Sequence, residues 1–221
     1  MSTPLTLLQQ IRTTLGSLAP SLSTASDASD IFEAYVFSLV VEAARVESAS
    51  VEYRDVYNQA PTRFVFRTSP GYIFSRTQRY SHALLVFTGK PALEVHVGVR
   101  VVGKSGVLHE CDVAVIEHAE AETCRGQRVP PRSVKVLITV ECKFYSTALQ
   151  LQLARAFLGL TTDLSTKNPM FVTNRSSQVL EKLLSGRSRN WEHNLSPAAT
   201  VEVLRLRHKF QDVFQHFKAT N

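Results

Sequence analysis

Residues 134–140 read Val-Lys-Val-Leu-Ile-Thr-Val, and five of these seven are β-branched. Branching at Cβ suits a pleated strand, and so dense a run is stable only in a central strand covered on both faces. One such strand demands a sheet with helices packed on either side, and the rest of the sequence offers both. Leu5, Leu8, Ile11, Leu15 and Leu18 recur at three- and four-residue steps behind a Thr3 cap and a Pro4 suited to the first helical position. Residues 20–29, rich in Ser, Thr and Ala, predict a loop. Asp30 is the expected cap of a longer helix running to about Ser48, apolar nearly all round and therefore buried.

From Val51 the periodicity drops to two. Residues 63–67, the turn signal Ser69-Pro70-Gly71 and Tyr72-Ile73-Phe74 predict a basic β-hairpin. Strands are expected over 83–88 and 93–102, with a third over 107–116 paired back across Gly103-Lys104-Ser105-Gly106. Residues 117–132 are polar, end in Val129-Pro130-Pro131 and predict a loop. Beyond the central run, helices are expected over 147–160, 176–184 and 208–218, and strands over 170–173 and 201–206. The expected class is α/β, or mixed α+β: a central mixed sheet flanked by helices, with the basic hairpin inserted. At 221 residues, against roughly 100–200 per domain, one domain is expected over 1–221. Residues 1–29 form its N-terminal helix and loop, and 30–221 its core.

A composition of 44% hydrophobic and 20% charged residues excludes a disordered chain, a collagen-like one and a disulfide scaffold. No apolar run approaches the ~20 residues of a membrane span. The opening Met1-Ser2-Thr3-Pro4 has no basic flank before an apolar stretch, so no secretion signal is expected. Cys111, Cys124 and Cys142 lack Cys-x-x-Cys spacing and predict reduced, buried thiols in the cytoplasm rather than disulfides or zinc ligands. The net charge of +6 favours a polyanionic partner, and its distribution is uneven. Between residues 60 and 104, Arg63, Arg67, Arg76, Arg79, Lys90, Arg100 and Lys104 face Glu94 alone.

Asp112 is embedded beside Val113-Ala114-Val115-Ile116. A carboxylate in an apolar strand is costly unless it is paired, hydrogen-bonded or bound to metal. Glu141 and Lys143, two apart on a strand, project to the same side at the carboxyl end of the central run, where open α/β sheets place ligands. Neighbouring strands would bring Asp112 and Glu141 together, and their repulsion calls for a hard divalent ion such as Mg²⁺. For Glu-x-Lys alone, a solvent-facing salt pair is the alternative.

The strand-embedded Asp, the β-branched strand ending in Glu-x-Lys and the helix after it together resemble the PD-(D/E)xK nuclease superfamily, the restriction-endonuclease-like fold. The resemblance covers about residues 30–206. It is strongest in His109-Glu110-Cys111-Asp112-Val113-Ala114-Val115 and Val140-Glu141-Cys142-Lys143-Phe144-Tyr145. Met170-Phe171-Val172-Thr173-Asn174 looks like the next core strand of the Mrr-type branch. The resemblance implies an α-β-β-β-α-β core and a metal-dependent endonuclease acting on DNA, in genome defence or repair. It implies Mg²⁺, with Mn²⁺ able to substitute, held by Asp112, Glu141 and the carbonyl of Cys142, and Lys143 orienting or activating the attacking water. The Pro of the family motif is absent here, and Cys111 precedes Asp112.

Glu33 is either the further acid that the family's first core helix often supplies or a compensating charge on the helix dipole. Gln150 and Gln152 stand where the family often places a site Gln, and plain surface glutamines are the alternative. Glu110 either supports Asp112 or pairs with a basic neighbour, while His82 and His109 are read as structural. Arg63, Arg67, Arg76 and Arg79, interleaved with Phe64, Phe66, Tyr72, Phe74 and Tyr80, form either a nucleic-acid surface or the wet face of a two-faced sheet. Lys182, Arg187 and Arg189, beside Trp191 and His193, form either the far wall of a cleft or a solvated helix end. Arg175 stands at a helix start suited to phosphate. Two other functions remain open: a non-cleaving nucleic-acid-binding or assembly module, and an RNA-directed nuclease. No separate DNA-reading unit is visible, so a homodimer or partner subunit is expected to supply targeting.

Overall fold

In the computed structural model, which describes residues 3–187 and 190–220, the first helix forms as its signals dictate. The Thr3 side chain accepts the Thr6 N–H at the head of α1 (Pro4–Leu15), and Gly16, at φ 67°, ends it. The second helix, α2 (Ala28–Val46), begins earlier than expected. Asp27 holds the cap position and Asp30 lies in the first turn, where its charge complements the helix dipole.

A seven-stranded mixed sheet follows, its strands in spatial order of sequence. β1 (Ser50–Asp55), β2 (Ser81–Val86), β3 (Leu93–Val102), β4 (Leu108–Glu117) and β5 (Val136–Lys143) are successively antiparallel. β6 (Asn168–Thr173) and β7 (Asn190–Glu192) run parallel to β5. The crossovers carry α4 (Leu151–Leu164) and α5 (Gln178–Ser185). α3 (His118–Gln127) links β4 to β5, and α6 (Thr200–Thr220) closes the described chain. Residues 136–140 of the β-branched run therefore lie in an interior strand, whereas Val134 and Lys135 stand before it in a short 3-10 turn, Ser133–Lys135.

Two apolar layers sandwich the sheet. Ile11 of α1, Phe32 and Val36 of α2 and Phe210 and Phe214 of α6 pack with Val113, Val115, Ile138 and Val140 on one face. On the other, Ala121 and Cys124 of α3 meet Ile116 and Leu164, while Phe157, Phe171 and Leu180 join α4 and α5. Among the described residues no helix is long and apolar enough to cross a membrane.

Four expectations are corrected. Residues 63–80 form no hairpin. Phe64 and Phe66 bury in the α2 layer and Ile73 in the opposite one, so the segment wraps the sheet instead of pairing with itself. Its hydrogen bonds go elsewhere: Phe64 N–H to the Ala19 carbonyl, Gly71 N–H to that of Gly98 and Arg100 N–H to that of Gly71. Residues 117–132 are largely helical rather than loop, because Ala121 and Cys124 seat α3 against the sheet. Residues 201–206 join α6 instead of forming a strand, since Leu206, Phe210, Val213, Phe214 and Phe217 bury one helical face. The helix expected from Thr147 starts at Leu151.

Candidate functional site

The ladder between β4 and β5 ends at Val113–Val140. Just beyond it, Asp112 Oδ2 accepts the backbone N–H of Cys142 at 2.6 Å, so a buried side chain takes over where main-chain pairing stops. A neighbouring irregularity explains why Asp112 is available. Val97 pairs with Val113 and Val99 with Cys111, which puts Gly98 across from Asp112. Val97 and Val113 face the α2 layer, whereas Val99 and Cys111 face the α3 layer. The faces exchange at Gly98 and Asp112. Gly98 is at φ +60°, and a Cβ there would meet Arg67 Cβ at 3.2 Å; only glycine takes this bend without strain.

Glu141 and Lys143 share a side of β5, as their spacing requires. Lys143 Nζ lies 2.6 Å from Glu141 Oε1 and 3.7 Å from Asp112 Oδ2. The three residues singled out by the sequence thus meet around one ammonium group. Phe32 of α2 contacts Phe144 at a ring separation of 5.4 Å, which lays the first turns of α2 over the end of β5 and brings Glu33 to the group.

The electrostatics show a cluster overloaded with carboxylates. Burial, then the charge of Glu141, pushes Asp112 up to about 7 against the opposing pull of Lys143. Burial, then Asp112, pushes Glu33 up to about 9. Glu110 is raised too, by burial and then by Glu141, while Lys143 and Arg100, its cross-strand neighbour, pull it down. Burial alone would lower the Lys143 ammonium, but Asp112 and Glu141 outweigh it and hold it above its ordinary value. Four carboxyl groups therefore gather around one ammonium, with Arg100 also drawing Glu110 down.

Such an oxygen-only, electron-rich donor set fits a hard divalent ion. Asp112 and Glu141 do not belong to either group of three protein ligands found within 4.8 Å of one another among the described residues. An ion here would complete its shell with water and phosphate, the habit of Mg²⁺. The Cys142 thiol is buried in the α2 layer, and its backbone meets the cluster through the N–H given to Asp112.

Other sequence candidates fall in different places. Gln150 and Gln152 are both exposed. Arg175 Nε donates to the Tyr145 carbonyl at 2.9 Å, and Asn174 bonds both the N–H and the carbonyl of Tyr145. Arg175 therefore flanks the strand end that carries Lys143. Arg63 is exposed and donates to the carbonyls of Pro20 and Ser21. Arg76 is exposed and lies over the Tyr57 ring at 4.9 Å. Arg67 corrects the sequence reading: it is buried, stacks 3.9 Å over Tyr80, and its guanidinium is pushed down to about 10 by burial. Arg79 is tied to buried Asp55 at 2.7 Å and to Gln59. Arg187 is exposed just past α5, and Arg189 lies outside the described residues.

Compared with protein-family models, with curated proteins and with solved structures, the chain finds no match. Function is therefore read from the chemistry of the site.

Glu94, in sequence only the lone acid among the basic residues of 60–104, is a second centre of the fold. It is fully buried and bound by Arg125, His96 and His118. The signal was present in Glu94-Val95-His96, a same-face pair on a strand. His109, read as structural, is so: with Ser105 it binds Asp163 and fixes the β3–β4 turn.

Proposed function

We propose that this chain is a divalent-metal-dependent endonuclease that hydrolyses DNA phosphodiester bonds. The observation that carries the reading is the convergence of Asp112, Glu141 and Lys143 where β4 and β5 part, beneath the first turns of α2. Asp112 and Glu141 would hold Mg²⁺ or Mn²⁺, with the Cys142 carbonyl as a further oxygen donor. When bound, the ion neutralises phosphate oxygens and acidifies water. Lys143 stays protonated at neutral pH, so it acts as a fixed charge and hydrogen-bond donor toward phosphate and water, not as a proton acceptor. Glu33 carries its proton in the ion-free state and loses it more readily once a cation arrives. Arg175, beside Tyr145, would steady the flanking backbone of the substrate.

One observation favours a non-cleaving binding module: Lys143 already neutralises Glu141 at 2.6 Å. Incubation of the purified full chain with supercoiled plasmid, single-stranded DNA and RNA in Mg²⁺, Mn²⁺ or EDTA decides between them. Nicking of plasmid in either ion and none in EDTA is expected. Tight binding without cleavage in both ions would establish the module instead, and cleavage of RNA alone would change the substrate.

The arginines divide by burial. Arg63→Glu and Arg76→Glu are each expected to reduce the salt dependence of DNA binding by about one phosphate contact. Arg67→Gln is expected to leave that slope unchanged while lowering stability. Fluorescence anisotropy over a salt series checks this, and equal slopes for all variants would exclude both exposed arginines from the interface.

A further inference from the structure

A second cluster lies in β2 and β3, built from residues outside the acid cluster. Ala83 pairs with Val95, which puts His82 directly across from His96, and Glu94 shares their face two residues before His96. All three are buried, at 2%, 4% and 0% exposure for His82, His96 and Glu94. Glu94 Oε2 is 2.7 Å from His96 Nε2 and 3.6 Å from His82 Nε2, and the three ligand atoms lie within 4.8 Å of one another. The two imidazoles stack with centroids 4.9 Å apart. His82 Nε2 has no hydrogen-bond partner although it is buried and turned toward Glu94. Native proteins seldom leave such an atom unsatisfied.

We propose that His82, Glu94 and His96 bind a divalent transition ion, with Zn²⁺ the best match, tying β2 to β3. Two imidazoles and one carboxylate form a mixed nitrogen and oxygen set that suits zinc and not magnesium. Bonds of about 2.0–2.2 Å in a tetrahedron put ligand atoms roughly 3.3–3.5 Å apart, and the separations to Glu94 Oε2 straddle that value. Glu94 Oε2 can only accept, so His96 Nε2 carries a proton in the ion-free protein, and an ion on these three atoms would displace it.

The surroundings support the carboxylate in the way metal sites are usually buttressed. Glu94 Oε1 accepts from His118 Nδ1 and Arg125 Nη2, each at 2.5 Å. Arg125 Nη1 also reaches Oε2 at 2.9 Å. That one bond yields when an ion takes Oε2, while Nη2 and the pair with Glu122 keep the guanidinium neutralised.

The test uses the full chain stripped with a chelator and titrated with ZnCl₂ or CoCl₂. One equivalent should bind to wild type and also to the Asp112→Asn, Glu141→Gln double variant, which separates this site from the acid cluster. The Co²⁺ complex should show the visible ligand-field bands of a four-coordinate ion. His82→Gln and His96→Gln should each weaken binding by roughly a hundredfold, at least the cost of losing an outer-shell partner. The unaltered protein decides the matter even if those variants fold poorly. Wild type that takes up no stoichiometric Zn²⁺ or Co²⁺ would overturn the proposal, as would loss of binding in the double acid variant.

Discussion

Asp112→Asn is expected to give a protein that is more stable than wild type in the absence of metal and unable to cleave. The folded protein holds the Asp112 proton more tightly than the unfolded chain, with its value raised from 3.8 to about 7. Its contribution to stability is complete below pH ~4, declines as pH rises, and is gone above about 7. At ~1.4 kcal/mol per unit the upper bound is about 4 kcal/mol, and coupling to Glu33 and Lys143 brings the expected figure nearer 2. Asparagine keeps an oxygen for the Cys142 N–H and carries no charge. In chelator at pH 8 the variant should therefore exceed wild type by about 2 kcal/mol, with the difference vanishing near pH 4. Glu94, whose carboxylate is held well below its ordinary value by its partners, adds an acid-side loss common to both proteins. Urea denaturation of both proteins between pH 4 and 8 reads the difference directly. A variant less stable than wild type at pH 8 would place Asp112 in a structural ion pair instead of an overcharged site. With Mg²⁺ the order should shrink or reverse, because only wild type gains from ion binding.

Lys143→Ala should lower cleavage by roughly 10²–10⁴-fold, the range for removing one positioned charge or proton-handling group. DNA binding should change little, since Lys143 is one of 25 basic residues. Losing the ammonium also removes the cation that opposes the charge of Glu141 at Asp112, so Asp112 should hold its proton to higher pH. The pH at which metal-dependent cleavage switches on should shift upward with it. Lys143→Arg preserves the charge but asks a planar guanidinium to fit where one nitrogen stands 2.6 Å from Glu141 and 3.7 Å from Asp112, and should regain little activity. Single-turnover cleavage across pH, measured beside binding, checks each part. Undiminished cleavage by Lys143→Ala would move the active site elsewhere in the chain.

Much of the frame was legible without coordinates, because it depends on local pattern. β-branching over residues 134–140 specified an interior strand, and period two then set Glu141 and Lys143 on one side. The turn signal at residues 103–106 registered β3 against β4; β3 runs over Leu93–Val102 as expected, and β4, at Leu108–Glu117, lies one residue beyond the expected 107–116. Where local pattern misled, a distant partner had outbid it. Residues 63–80 alternate like a hairpin, yet their apolar side chains bury on opposite faces of the sheet and their N–H groups pair with residues 19–21 and with β3. Residues 201–206 are strand-like by composition, but the apolar face continuing to Phe217 draws them into α6, where Arg205 and Lys209 also pair with Glu192 of β7.

The sequence by itself determined that Glu141 and Lys143 would stand on one side at the carboxyl end of the central strand, since alternation along one strand needs no knowledge of its neighbours. The tertiary structure decided what those groups are. It set Asp112 on the Cys142 N–H, brought Glu33 over the strand end through Phe32 and Phe144, withdrew Arg67 into the interior, and gathered His82, Glu94 and His96 from two strands around one buried oxygen. Protonation and ion affinity follow from distances across strands and from exclusion of water, and both exist only once the chain has closed on itself.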